Sequence, residues 1–262
     1  MDVLARNNVR LLGVPGGPPM VLAHGFGCDQ EMWRHVWPAF EADHRVVLLD
    51  HVGAGRSDLR AWDPERYTDL QAYADDLVEV CRALDLSDAV LVGHSVGATI
   101  ALLAAVSAPE LVSRLVLVAP SPRYVDDEGY TGGTSPEAVE GLLEALDANY
   151  LGWAQTMAPL IAGAEHPRAG AELTESFCRT DPRIARQFAR TTFLADNRAD
   201  LARVRTPALV LQVAEDPLAP VAVGEYLRDH LAAGELVVLD TSGHCPNLSA
   251  PGETVRAIRA WL

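Results

Sequence analysis

Short runs of consecutive apolar residues, rich in Val and Leu, alternate along the chain with longer stretches in which apolar residues recur at helical spacing. The runs predict strands over 9–14, 20–23, 46–50, 89–92, 115–118, 208–213 and 236–239. The segment 13–19, GVPGGPP, is a turn joining the first two. Helical spacing predicts helices over 69–84, 96–108 and 253–262, the second ending before Pro109. Strands that alternate with helices in this way predict a mostly parallel sheet flanked by helices. From 123 to 195 the strand rhythm stops. Three or four helices separated by Pro and Gly are expected there, around 136–150, 152–161, 171–178 and 182–194. An interruption of this kind between two strands reads as an inserted cap over a core made of 1–122 and 196–262. The stretch 126–147 carries seven acidic residues and no basic one, the composition of a solvated outer face.

Composition narrows the function. A chain of 262 residues with 49% hydrophobic content can bury a large core as one domain with an insertion. All 21 basic residues are Arg, so Schiff-base, P-loop and kinase-type lysine chemistries are excluded. A formal net charge of -15 repels phosphate backbones and argues against nucleic-acid binding. The opening MDVLARNNVRLLGV has no apolar run of signal-peptide length, and no segment has the roughly 18 apolar residues needed to span a membrane. The expectation is a cytoplasmic protein that does not enter the membrane. Cys28, Cys81, Cys178 and Cys245 show no C-x-x-C spacing, so free thiols are expected and no metal or organic cofactor is indicated.

Three segments carry chemistry. Val90 to Val92 run directly into Gly93-His94-Ser95-Val96-Gly97, a strand, a G-x-S-x-G turn and a helix. A turn this tight holds Ser95 exposed above the sheet with a helix N-terminus behind it, as a nucleophile requires. A serine hydroxyl needs a base, and His244, in the Gly-containing loop after the last strand, is placed to serve it. Adjacent His94 is expected to point elsewhere, His24 and His51 to lie in other loops, and His35, His44, His166 and His230 to be surface or packing residues. The base needs a carboxylate to fix its tautomer. Glu215 and Asp216 both follow the penultimate strand, and the spacing leaves either open. Oxyanion-stabilising amides are expected from Val96 and from Phe26 in the Gly-rich loop after an early strand. The segment from Asp50 to Asp58 contains G-x-G but lacks the third Gly of a dinucleotide fingerprint and reads as a structural loop.

The segments HGFGCDQ (24–30), DHRVV (43–47), YADDL (73–77), ALDL (83–86), VGHSVG (92–97), FCRTDP (177–182), IARQF (184–188) and GHCP (243–246) resemble the RsbQ-type α/β-hydrolases, bacterial stress-response hydrolases related to the plant strigolactone and karrikin receptor hydrolases. The resemblance runs over nearly the whole chain. It implies an α/β-hydrolase fold with a cap of four helices in V-shaped pairs over a mainly hydrophobic pocket. It favours Asp216 over Glu215 as third member of a Ser95–His244–Asp216 triad, supports Phe26 and Val96 as oxyanion donors, and suggests a pocket lined by Phe26, Tyr124, Trp153, Met157, Phe193 and Leu218. It implies hydrolysis of a small hydrophobic ester or lactone of butenolide type, without a cofactor. The competing expectation is a signalling role in which the cap contacts a sensor phosphatase and hydrolysis is slow or serves to generate the signal. A dehalogenase would carry Asp where this chain has Ser95, and a perhydrolase sharing the triad ranks lowest.

Overall fold

The computed structural model describes residues 2–262. A short helix α1 (Val3–Arg6) precedes β1 (Arg10–Gly13), β2 (Pro19–Ala23) and β3 (Arg45–Leu48). Helix α2 (Leu70–Ala83), β4 (Ala89–His94), α3 (Val96–Ser107) and β5 (Val112–Val118) follow. Next come α4 (Pro136–Ala148), α5 (Tyr150–Ala162), α6 (Pro167–Arg179) and α7 (Pro182–Phe193). The chain closes with β6 (Ala208–Glu215), α8 (Val221–His230), β7 (Gly234–Ser242), α9 (Pro246–Ser249) and α10 (Pro251–Trp261).

The seven strands form one sheet in the order β1-β3-β2-β4-β5-β6-β7, with β1 antiparallel to β3 and every other pair parallel. Parallel register brings the carboxyl ends of β2, β4, β6 and β7 to one edge, with Ala23 beside Gly93 and Glu215 beside Ser242. Loops that leave this edge converge, and ligands of open α/β sheets bind there. β4 is buried along its whole length, which is why its sequence is a continuous apolar run rather than an alternating one. Helix α3 is buried nearly all round for the same reason, so it is apolar on every face.

Strand ends differ from the hydrophobic reading because ladder hydrogen bonds, not apolarity, set them. β7 extends to Gly234–Ser242 as an edge strand that leaves Val237 and Val238 half-exposed, whereas its apolar stretch covers only 236–239. Helix α6 begins at Pro167, four residues before the expected start, because Pro is well suited to the first helical turn. Helix α8 was not expected. Its buried stripe is only Val223, Gly224 and Leu227, too short for the periodicity to stand out.

Helices α4 to α7 lie between β5 and β6 and form the inserted four-helix cap. α5 and α6 approach closely, with Gly170 facing Pro159 where a side chain would press on backbone. The acidic stretch faces solvent, with Asp126, Asp127, Glu128, Glu137, Glu140 and Glu144 exposed. Cap and core are joined by polar contacts: Ser176 donates to the Gly27 carbonyl at 3.0 Å, Gln187 to the carbonyls of Pro64 and Tyr67 at 2.7 and 2.9 Å, and Arg179 pairs with Asp29 at 3.0 Å. Among the described residues no helix is long and apolar enough to cross a membrane.

Candidate active site

Ser95 sits between β4 and α3 with φ +55° and ψ -125°, a backbone state that L-residues rarely hold without support. The support is close packing. A Cβ on Gly93 would lie 2.3 Å from the Gly97 carbonyl oxygen, and one on Gly97 would lie 2.4 Å from that of His24. Only Gly fits at either position, so the G-x-S-x-G spacing follows from the geometry of the turn.

The structure brings Ser95, His244 and Asp216 together from three loops at the sheet edge. His244 Nε2 lies 2.8 Å from Ser95 Oγ, and His244 Nδ1 lies 2.8 and 3.0 Å from the two Asp216 oxygens. The Asp216 side chain is wholly buried, and its Oδ1 also accepts from the amides of Leu218 at 2.8 Å and Ala219 at 3.1 Å. An ionised carboxylate only accepts, so His244 Nδ1 carries the proton and Nε2 presents a lone pair to the Ser95 hydroxyl. Glu215 is exposed and meets this loop only through its backbone, accepting from the Gly243 amide at 2.9 Å.

Tyr124 stands nearer the chemistry than a pocket wall. Its hydroxyl is 3.1 Å from Ser95 Oγ. Ser95 has one proton, directed at His244, so Tyr124 is the donor in this contact. Burial pushes the Tyr124 phenol up, so it keeps the proton it donates.

The loop after β2 faces Ser95 from the other side. Val96 opens α3, so its amide has no acceptor within the helix. The Phe26 amide likewise meets no acceptor among the described residues. Neither amide is therefore committed to a partner among the described residues. The loop is fixed from beneath by the imidazoles that the sequence placed in other loops: His24 Nδ1 donates to the Gly25 carbonyl at 2.9 Å and accepts at Nε2 from the His51 amide at 3.0 Å, while His51 Nε2 donates to the His24 carbonyl at 3.0 Å. His94 points away from the Ser95 hydroxyl, as expected, and donates from Nε2 to the His244 carbonyl at 2.8 Å.

Burial drives the His94 imidazole down to about 3 and His51 well below its ordinary value, with neighbouring imidazoles adding to both shifts. Both are neutral in the fold, while in the unfolded chain each binds a proton near pH 6.5. Their contribution to stability is therefore fully present above pH 6.5 and is lost as pH falls towards the folded value, at roughly 1 kcal/mol per pH unit for each. Denaturant midpoints measured at pH 7 and pH 5 are expected to show a clear loss at pH 5; equal midpoints would contradict the neutral assignment.

Above Ser95 lies a narrow cavity of about 20 Å³, which roughly one or two waters would fill. Of the residues suggested for the pocket, Phe26, Phe193 and Leu218 line this cavity. Tyr124, Trp153 and Met157 do not, Tyr124 meeting Ser95 through its hydroxyl instead. Trp153 stands behind the wall, stacked on Phe177 with ring centroids 5.7 Å apart and edge-on to Phe26 at 6.2 Å, and Met157 is a partly buried residue packed against the core. The lining also includes Cys28, Ile161, Leu173, Phe177, Thr192 and Cys245, which sequence reasoning missed. Leu173 and Phe177 were discoverable, being four apart on the buried stripe of α6. Burial pushes the thiols of Cys28 and Cys245 up, so both stay protonated and unreactive near neutral pH.

The family model described as the alpha/beta hydrolase family matches residues 20–257, most of the chain. The chain belongs to the α/β-hydrolase family. This hydrolase is 40% identical to strigolactone esterase D14 of Arabidopsis thaliana over 100% of its own length and 98% of that protein. It is 38% identical to karrikin insensitive 2 receptor CA of Petunia hybrida over 94% of its length and 91% of the receptor. A solved hydrolase structure from Oleispira antarctica superposes with a TM-score of 0.96 at 38% identity, covering 99% of this chain and 96% of that one. The kinship with the plant receptor hydrolases expected from the sequence holds along the whole hydrolase.

Proposed function

We propose that this α/β-hydrolase cleaves small hydrophobic esters or lactones through an acyl-enzyme formed on Ser95. The observation that carries the reading is the continuous hydrogen-bonded line from Ser95 Oγ through His244 to the buried Asp216. Ser95 attacks the carbonyl as His244 Nε2 takes its proton, Asp216 stabilises the imidazolium, and the amides of Phe26 and Val96 bind the developing oxyanion. His244 then gives the proton to the leaving alkoxide, and a water activated by the same imidazole releases the acid. The esterase and receptor names of the plant relatives support the substrate class. Intact-protein mass spectrometry after incubation with a p-nitrophenyl ester and with a synthetic butenolide tests it. An acyl adduct is expected on the wild type; neither adduct nor turnover with either compound would sink the reading.

We take residues 123–195 as the cap that encloses the substrate, with the cavity opening when side chains of the cap and of the Phe26 loop yield. Trp153 supports that wall from behind through Phe177 and Phe26. Replacing it with Ala should therefore change the preference among short and long acyl chains, on the order of tenfold in relative kcat/KM, while acylation persists. Loss of acylation with every ester would assign Trp153 to the chemistry itself.

A second reading has support in one contact. The His244 amide donates to the carbonyl of Ile161 on α5 at 2.7 Å, so the base loop is bonded directly to the cap. In this reading hydrolysis is slow and a cap surface contacts a partner such as a sensor phosphatase. Single-turnover acylation followed by deacylation far slower than for ordinary esterases would favour it.

A further inference from the structure

The cavity above Ser95 is lined by apolar side chains, two thiols and the imidazoles of His94 and His244, with one further exception. Thr192, the penultimate residue of α7, lines the cavity and carries a buried hydroxyl that has no hydrogen-bond partner among the described residues. This is unusual within this fold. A helical threonine ordinarily returns its hydroxyl to the carbonyl four residues back. Thr156, Thr174 and Thr254 do so at 3.0, 2.7 and 3.1 Å. Thr99 and Thr191 instead donate across to the carbonyls of Ser121 and Tyr67. Among the described residues, Thr192 is the one α-helical threonine whose hydroxyl is unbonded, and it stands in the wall of the site. Val would fill the same volume without leaving a polar atom unpaired, and a buried hydroxyl without a partner is disfavoured.

We infer that Thr192 is a specificity residue whose hydroxyl hydrogen-bonds a second oxygen of the substrate, an ether, ring or carbonyl oxygen apart from the scissile ester group. The inference rests on the ester reading and narrows it to oxygenated esters and lactones. A site that supplies a hydrogen bond for a substrate oxygen rejects the methylene analogue far better than an apolar wall selects between shapes, because the buried group is then left unpaired. The Thr hydroxyl both donates and accepts, so it suits an oxygen acceptor without requiring charge.

The test compares esters that differ only by oxygen in place of methylene: p-nitrophenyl methoxyacetate against butyrate, 3-methoxypropionate against valerate, and 2-methoxyethyl acetate against butyl acetate. The quantity read is the kcat/KM ratio of the two members of each pair, compared between wild type, Thr192→Val and Thr192→Ser, so that intrinsic reactivity cancels. For at least one pair the ratio should fall roughly tenfold in Thr192→Val and be kept in Thr192→Ser. Ratios unchanged within about twofold in Thr192→Val for all pairs overturn the inference. A second readout needs no hydrolysis: the thermal shift given by methyl methoxyacetate against methyl butyrate in Ser95→Ala, with and without Thr192→Val. If the wild type turns over no ester, the ester reading fails while the shift still decides. A preference for the oxygenated ligand that disappears with Thr192→Val sustains the assignment; equal shifts in both proteins overturn it.

Discussion

Ser95→Ala is expected to lower kcat for p-nitrophenyl esters on the order of 10⁶-fold, the scale of nucleophile removal in other serine hydrolases. The fold should survive. The elbow is held by the Gly93 and Gly97 contacts and by the Ser95 amide, which donates to the Val118 carbonyl at 2.9 Å, and none of these uses the hydroxyl. What disappears is the acceptor of the Tyr124 proton and the donor to His244. Activity of the free amides of Phe26 and Val96 should leave a small residual rate above water, without a burst and without an adduct in the mass spectrum. Steady-state kinetics with active-site titration checks this, and wild-type turnover in the variant would remove Ser95 from the mechanism.

Asp216→Asn should cost about 10⁴-fold in kcat with little change in KM. The Asn oxygen can keep the two amide donors of Leu218 and Ala219, which turns its NH₂ towards His244 Nδ1. Nδ1 must then accept, and the imidazole proton moves to Nε2, where it faces Ser95 and cannot take the hydroxyl proton. Glu215→Gln is the control, since that side chain is exposed and serves the loop only through its carbonyl. It should stay within about twofold of wild type. A large loss in Glu215→Gln with a mild one in Asp216→Asn would reverse the assignment.

The parts of this site that were legible in the sequence are those whose chemistry is local. Gly93 and Gly97 bracket Ser95 because the backbone permits nothing else, and that requirement is written in adjacent letters. The sheet was legible because its inner strands, β4 above all, are buried along most of their length and read as apolar runs. What was not legible depends on where separate loops meet. Tyr124 reaches Ser95 across 29 residues of chain from a loop with no periodicity. Trp153 and Met157 sit at helical spacing that fits a pocket wall and a supporting layer equally well, and packing of Phe177 in front of Trp153 decides the matter. Glu215 and Asp216 are adjacent letters, and only the fold separates them, with the Asp216 carboxylate buried against His244 and the Glu215 side chain in solvent. Thr192 carried no signal, because a threonine whose hydroxyl is satisfied and one whose hydroxyl is not are the same letter.

The bond between the His244 amide and the Ile161 carbonyl bears on protein engineering. Gly243 lies so close to the end of α5 that a Cβ would stand 2.1 Å from the Ala162 carbonyl oxygen, so the fit there is backbone to backbone. Four-helix insertions are attractive as cassettes to be exchanged between scaffolds, because they occupy one break in the chain. Here the second helix of the cassette ends against the loop that carries His244. A transplanted insertion must therefore reproduce the path of the last turn of α5, whatever sequence it brings to the cavity, or the graft will trade a new binding surface for a displaced imidazole.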